Sequence, residues 1–301
     1  MIIPRAAQGV QVSRTKSATG AISFAGLWHR SRQLLFDALG LAIAALMLFP
    51  IYWMVATAFK PGREILTLTP TWFPSPITLQ NFQDAIARPF FLDDVRNSLT
   101  IVGVMLVLAL AVGFLAAVGA ARFGFRGRTT YLVMIIGVQM VPLNALIIPL
   151  YLTLDNVGLV DALPGVIAVY LAAVLPFMIW TLRGFVANIP LELEESAMID
   201  GSSRFGAFWR ITFPLVAPGL VATAIFSCIQ AWNEYIIAYV LLSSPSNQTI
   251  TVWLASFTTN HGPQWGPLMA GATITGLPVV VFFLLLQRYL VGGLTAGSVK
   301  G

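Results

Sequence analysis

The chain has 301 residues, 57% of them hydrophobic and only 10% charged, with a mean hydropathy of +0.83. Ordinary soluble domains carry roughly 25% charged residues, and a chain with so little charge lacks the polar surface to cover itself in water. This excludes a soluble globular fold, and it makes the placement of the basic residues more informative than the net charge of +5; no nucleic-acid partner is expected.

Residues 1–33 are polar and basic without the apolar core of a signal peptide, and are expected to form a cytoplasmic tail. A membrane domain follows over 34–290. About 20 apolar residues of helix are needed to cross a bilayer. Uncharged runs of sufficient length cover 38–59, 97–121, 129–154, 162–182 and 262–287, and a sixth, 215–242, is interrupted only by Glu234. The spacing predicts an all-α membrane protein with six transmembrane helices; the short alternating segments of a β-barrel are absent. With both termini cytoplasmic, 13 of the 17 Lys and Arg residues fall on the inside, and the other four, Lys60, Arg63, Arg88 and Arg96, share one long external loop at 60–96. In that loop Pro70, Pro74 and Pro76 stiffen an extended segment, with Trp72 and Phe73 as interfacial anchors or partner contacts. A further external loop is expected at 243–265 and a cytoplasmic one at 184–218.

The cytoplasmic loop is the one long, charged, helix-forming interruption between hydrophobic runs. Pro190 suits a first helical position, and Glu192, Glu194 and Glu195 lie in the first turns, where the helix dipole favours negative charge. Gly201 supplies a left-handed C-cap. Ser202 or Ser203 caps a second short helix through Trp209 and Arg210, before Pro214 and Pro218 re-enter the membrane. The expected product is a bent, half-apolar knob with Leu193 and Ala197 on one face. An ordinary pair of interfacial helices fits the same residues.

No nucleotide-binding Gly-Lys dipeptide occurs, Cys228 is the single cysteine and reads as a packing residue, and His29 and His261 lie far apart. The chain is therefore expected to hold no catalytic residues, metal or cofactor of its own. Glu234 costs on the order of 2.5–3.5 kcal/mol in the middle of a membrane helix. With Gln230 and Asn233, and with Gln139 and Asn144 of the third span, it forms a candidate polar patch. It could line a pathway, hold an interface by hydrogen bonds or bind a polar solute.

Glu195-Ser196-Ala197, then Gly201, Ile211 and Pro214, match the spacing of the Glu-Ala-Ala, Gly, Ile-x-Leu-Pro signature of ABC importer permeases. Ser196 replaces an alanine of that signature and Phe213 a leucine. The segment from Gln287 to Gly301 resembles the closing tail of the shorter permease subunit in the maltose-type carbohydrate branch. Asn97-Ser98-Leu99 at the opening of the second helix, Gly158-Leu159-Val160-Asp161 at an external turn, and Trp232-Asn233-Glu234-Tyr235 agree with it.

The resemblance implies the type I importer permease fold in a bacterial cytoplasmic membrane. It implies a second, paralogous permease subunit, two copies of an ABC ATPase that bind ATP and Mg, and an extracytoplasmic solute-binding protein that delivers a sugar. By the same resemblance Glu192, Glu194, Glu195, Ser196, Ala197, Met198, Asp200 and Gly201 couple to the ATPase. The tail 291–301, through Thr295, Ala296, Gly297, Ser298, Val299, Lys300 and Gly301, also touches it. Thr259, Asn260, His261, Gly262, Pro263 and Gln264 probe the binding protein, although His261 reads equally as a surface turn residue. The alternative is an importer of glycerol phosphate or a related polar solute; a secondary transporter would need more intramembrane carboxylates than Glu234 alone.

Overall fold

The computed structural model describes residues 24–295, with side chains from 32 to 289. The first helix, α1 (Phe24–Ala58), contains Pro50. Its part up to Tyr52 is a unit by itself, exposed at every residue from 32 to 52. The second unit begins at Trp53. It holds α2 (Gly62–Ile65), α3 (Gln80–Ile86), α4 (Phe91–Arg122), α5 (Arg128–Gln139), α6 (Ile147–Asn156), α7 (Leu163–Ala187), α8 (Leu191–Ile199), α9 (Arg204–Ala207), α10 (Phe213–Trp232), α11 (Ile236–Leu241) and α12 (Ile250–Ala255). A two-stranded hairpin, β1 (Thr258–Thr259) and β2 (Gly262–Pro263), precedes the last helix, α13 (Trp265–Thr295).

The core of this unit is α4 against α7. On α4 the buried residues Ile101, Met105, Ala109, Gly113 and Ala117 recur every four residues; on α7 so do Val166, Tyr170, Val174, Met178, Leu182 and Val186. Each row lies on one side of its helix. Small residues at 109, 113 and 117 let the two backbones approach closely, the usual way helices associate in lipid, where apolar burial gives little drive. A Cβ at Gly113 would lie 2.9 Å from Met178 Sδ, so any larger residue there must push that side chain aside. The acidic Asp93 and Asp94 in the first turn of α4 and Arg122 in its last complement the helix dipole.

Five helices are long and apolar enough to cross a membrane; a sixth span exists only if α5 and the stretch 143–156 count together, and these meet at 86°. The uncharged run 129–154 therefore does not form one straight helix. Pro142 has no N–H to continue the ladder, and a 3₁₀ turn, Leu143–Leu146, starts after it. The run 215–242 is also divided. It enters through a continuous helical stretch from Arg204, passing a π turn at Phe208–Thr212, and ends at Trp232. Asn233, Glu234 and Tyr235 form a break before α11. The second helix opens at Phe91, six residues before Asn97.

The residues quoted for the family resemblance have local structural tasks. Asn97 Nδ2 donates to the carbonyls of Ser246 and Gln248 at 2.9 and 3.0 Å, and Ser98 Oγ accepts from the amide of Ile250 at 2.8 Å. Asp161, at φ +57°, accepts from the Ser244 amide at 2.9 Å and from the Ser244 hydroxyl, while Asn247 Nδ2 donates to its carbonyl at 2.8 Å. Partial burial pushes the Asp161 carboxyl up, but the hydrogen bonds from Ser244 and Asn247 outweigh it and hold the group below the ordinary carboxylate range. A carboxylate with a lowered folded-state pKa stabilises the fold above its unfolded pKa, and that contribution is lost as the pH falls through the folded value. Asp161→Asn is accordingly expected to lower the melting temperature in detergent at neutral pH, with the gap to wild type narrowing on acidification. A gap that stays constant down to about pH 3, below the usual carboxylate range, would remove the charge from this account.

Candidate functional site

The bundle presents two distinct ends. They are separated by the length of α4, whose 32 residues span about 48 Å at 1.5 Å per residue.

At the C-terminal end of α4 lies the acidic loop. Pro190 is the N-cap of α8 and Leu191 its first residue, a shift of one from the sequence reading. Asp200 is the C-cap, and Gly201 follows at φ +91°. The Ser202 amide donates to Ala197 O at 2.9 Å and the Gly201 amide to Met198 O at 3.1 Å, the paired bonds of a Schellman stop. Ser203, not Ser202, caps the next helix, its Oγ accepting from the Gly206 amide at 3.1 Å. That helix is not a separate short one, because it continues through the π turn into α10.

The faces of α8 differ from the expected division. Glu192, Leu193, Glu195, Ser196, Ile199 and Asp200 are exposed, with Ile199 at 86%, whereas Glu194, Ala197 and Met198 are half-buried. Leu193 and Ala197 therefore do not form a common buried face. Ser196 Oγ turns back to donate to Glu192 O at 2.7 Å.

Glu194 points to the bundle. Its Oε1 lies 2.8 Å from Arg122 Nη2 and accepts from the Thr212 hydroxyl at 2.7 Å, while Arg122 Nη1 donates to Ile189 O at 3.1 Å. One carboxylate thus ties the end of α4, the knob and the π turn together. The sequence reading grouped Glu194 with its exposed neighbours and left Arg122 as an orientation charge. The 72-residue separation carries no local spacing signal that would have found the pair.

At the other end is the 258–264 hairpin. Thr258 pairs with Pro263 and Thr259 with Gly262, so Asn260 and His261 form the tip. Thr259 Oγ1 donates to Gly262 O at 2.9 Å, and Asn260, His261, Pro263 and Gln264 are exposed. Arg88, just ahead of α4, fastens the hairpin. Its Nε donates to Ser256 Oγ at 2.8 Å, its Nη2 to Ser256 O, its Nη1 to Gln264 Oε1 at 3.1 Å, and its guanidinium lies 4.5 Å over the Phe257 ring. Lys60 is nearly fully buried, donating to Thr71 O and lying 4.1 Å over the ring of Trp53. Burial lowers its pKa, against the raising influence of Glu64.

The polar patch is brought together only in part. Gln139 and Gln230 line one cavity of about 750 Å³ with Pro142, Pro176, Phe177 and Phe226. Gln230 and Glu234 line a smaller one of about 190 Å³ beside it. Asn144 is exposed outside both linings, and Asn233 is exposed with its Nδ2 on Ile229 O at 2.9 Å. Glu234 is not in the middle of a helix. It sits at the break, where its carboxylate accepts from the amides of Ile237 at 3.0 Å and Ala238 at 3.2 Å, and from the Tyr170 hydroxyl at 2.9 Å. The break leaves the first amides of α11 without intrahelical partners, and Glu234 satisfies them. Of the C-terminal tail 291–301, residues 291–295 fall within the described residues, as the end of α13, so the tail begins as helix; Ala296 to Gly301 lie outside them.

Residues 109–295, which include the knob, the break and the hairpin, match the family described as binding-protein-dependent transport system inner membrane component. The chain belongs to that family. The permease is 41% identical over 255 residues to the diacetylchitobiose uptake system permease protein DasC of Streptomyces coelicolor, covering 85% of this chain and 92% of the relative. It is 33% identical to the trehalose/maltose transport system permease protein MalG of Thermococcus litoralis, over 86% of this chain and 94% of that one. Its fold is that of a solved bacterial ABC transporter involved in the import of the acidic polysaccharide alginate, with a TM-score of 0.73 at 21% identity, covering 86% of this permease and 96% of that chain. The permease is thus a transport subunit and an inner-membrane component.

Proposed function

We propose that this permease is one of two paralogous membrane subunits of an ATP-driven importer for a di- or oligosaccharide. Its termini are cytoplasmic, so the α8 knob faces the cytoplasm and the 258–264 hairpin faces outward. Two copies of a separate ATPase, which bind ATP and Mg, grip the knob and the C-terminal tail, and a solute-binding protein docks at the hairpin end. The sugar assignment rests on relatives whose names specify diacetylchitobiose, trehalose and arabinooligosaccharides.

The observation that carries this reading is the knob's construction. Its outer face offers Glu192, Glu195 and Asp200 beside the exposed Leu193 and Ile199, while Glu194 on its inner face is bonded to Arg122 and Thr212. A rigid, half-apolar acidic knob braced against two spans passes force from a docked partner to the helices. A surface loop without that brace would absorb the force.

Tagged permease should co-purify with an ATPase and a second permease, and cells should take up labelled diacetylchitobiose, trehalose or maltose in a manner that needs all three. A permease that purifies alone, or uptake that persists without the ATPase, overturns the assignment. Replacing residues 260–264 with Gly and Ser is expected to leave assembly intact and to lower uptake at saturating sugar several-fold, with sugar retained on the binding protein. The hairpin tip offers the Asn260 amide and the His261 imidazole, which compete for a sugar's hydrogen bonds. Unchanged maximal uptake would reduce the hairpin to a connector.

A further inference from the structure

Between Glu64 and Asp84 the chain carries no charge, and Lys60 just ahead of this stretch is withdrawn onto Trp53 and Thr71. Within it Leu66, Leu68, Trp72, Phe73, Ile77 and Leu79 are each more than half exposed, Leu68 completely. So many large apolar side chains left exposed in one short segment mark a surface that meets protein or lipid.

The segment's anchors fix its level. Ala58 ends the first span, and Trp53 stands five residues earlier, about 7.5 Å inward at 1.5 Å per residue. The Trp72 ring makes a T-shaped contact with Trp53 at 5.9 Å between centroids, and the Thr78 amide donates to Phe59 O at 3.0 Å. On the other flank Ile65 meets the start of the last span, where a Cβ on Gly266 would lie 3.0 Å from Ile65 Cδ1. The segment thus folds back level with the ends of two spans instead of standing out into solution.

We infer that residues 65–79 lie in the interfacial layer of the bilayer at the hairpin end of the bundle, with these six side chains among the lipid headgroups and upper acyl chains. The inference needs only the membrane placement of the spans, and neither the solute nor the ATPase enters it. The headgroup layer is about 5–7 Å deep on each side of the hydrocarbon, and Trp is enriched there. Irregular backbone cannot face hydrocarbon, but headgroups and water serve it in this layer. Pro70, Pro74 and Pro76 have no N–H to satisfy, and the Thr67 hydroxyl donates to Thr69 O at 3.0 Å. A soluble binding protein is the other candidate occupant. A stretch without charge offers such a partner no electrostatic steering, and one held level with the span ends lies below its reach.

The test uses the complete transporter in nanodiscs of phosphatidylcholine and phosphatidylglycerol, with nitroxide labels at Leu66→Cys, Leu68→Cys and Ile77→Cys in a Cys228→Ala background. Should that background fail to assemble, the wild type serves, because Cys228 is buried. Asn260→Cys at the hairpin tip is the aqueous reference. The ratio of oxygen to nickel-chelate collisions should be several-fold higher at all three labels than at the tip, and adding the binding protein should leave it unchanged. Ratios equal to that of the tip place the segment in water and overturn the inference. Nickel access that disappears only when the binding protein is added assigns the surface to that protein, and low access to both probes places it beneath the second permease. Either result overturns it as well.

Discussion

Gly201→Pro is expected to abolish uptake while the permease still inserts into the membrane. Gly201 stands at φ +91°, and no atom lies within 4 Å of where its Cβ would be, so the demand is on the backbone alone. Alanine there would be strained by roughly 1–2 kcal/mol without a clash, and should reduce uptake only partly. Proline is fixed near φ −65°, cannot take this conformation at all, and loses the N–H that bonds Met198 O. The Schellman stop would open and α8 would leave its angle to the helix that continues into α10. The measurement is labelled-sugar uptake against permease abundance in membranes, with ATPase co-purification alongside. Wild-type uptake and co-purification in the proline variant would show that the bend is not needed for coupling. Glu195→Lys, which reverses an exposed charge of the same knob, probes the docked face separately and should fail at co-purification.

The second large effect is expected at the brace. Arg122 and Glu194 have side chains only 14% and 17% exposed. The Thr212 hydroxyl's charge-assisted bond to Glu194 is worth about 1.5–3 kcal/mol, and removing one partner of the adjoining Arg122–Glu194 ion pair leaves the other poorly solvated. Glu194→Ala and Arg122→Ala should each lower the melting temperature in detergent and cut uptake at least tenfold. The double variant should be little worse than either, with a coupling energy of roughly 1–3 kcal/mol. Exchanging the two charges should not restore function, because a carboxylate at 122 would face the Ile189 carbonyl now bonded by Arg122. Additive losses, or full rescue by the exchange, would mean that the pair does not brace the knob.

The bend at Gly201 was legible because its signals are local: acidic residues in the first turn, then a glycine where the helix must stop. The break at Glu234 was not. An uninterrupted apolar run reads as one helix, and a glutamate in it reads as a buried charge. Only the folded chain shows the carboxylate capping α11 and meeting Tyr170. Pro142 is similar. Membrane helices often tolerate proline, and Pro176 stays inside α7 while Pro142 precedes an 86° bend. Composition does not separate the two cases.

Hydropathy and the pattern of charge are properties of the chain itself, so the sequence alone determined that this is a helical membrane protein with an acidic, bent interruption between two of its long apolar runs. Spacing motifs resolved the family for the same reason, since a turn or a cap depends on residues a few positions apart. Which glutamate faces outward, which arginine braces it, and which carboxylate lines a cavity depend on residues up to 176 positions apart, as with Arg88 and Gln264. Those pairings arise when the four-residue rows of α4 and α7 lock together and bring the loops at each end of the bundle into register. Hydrogen bonds and ion pairs act over a few ångströms, so only the tertiary structure decides which distant partners come within reach.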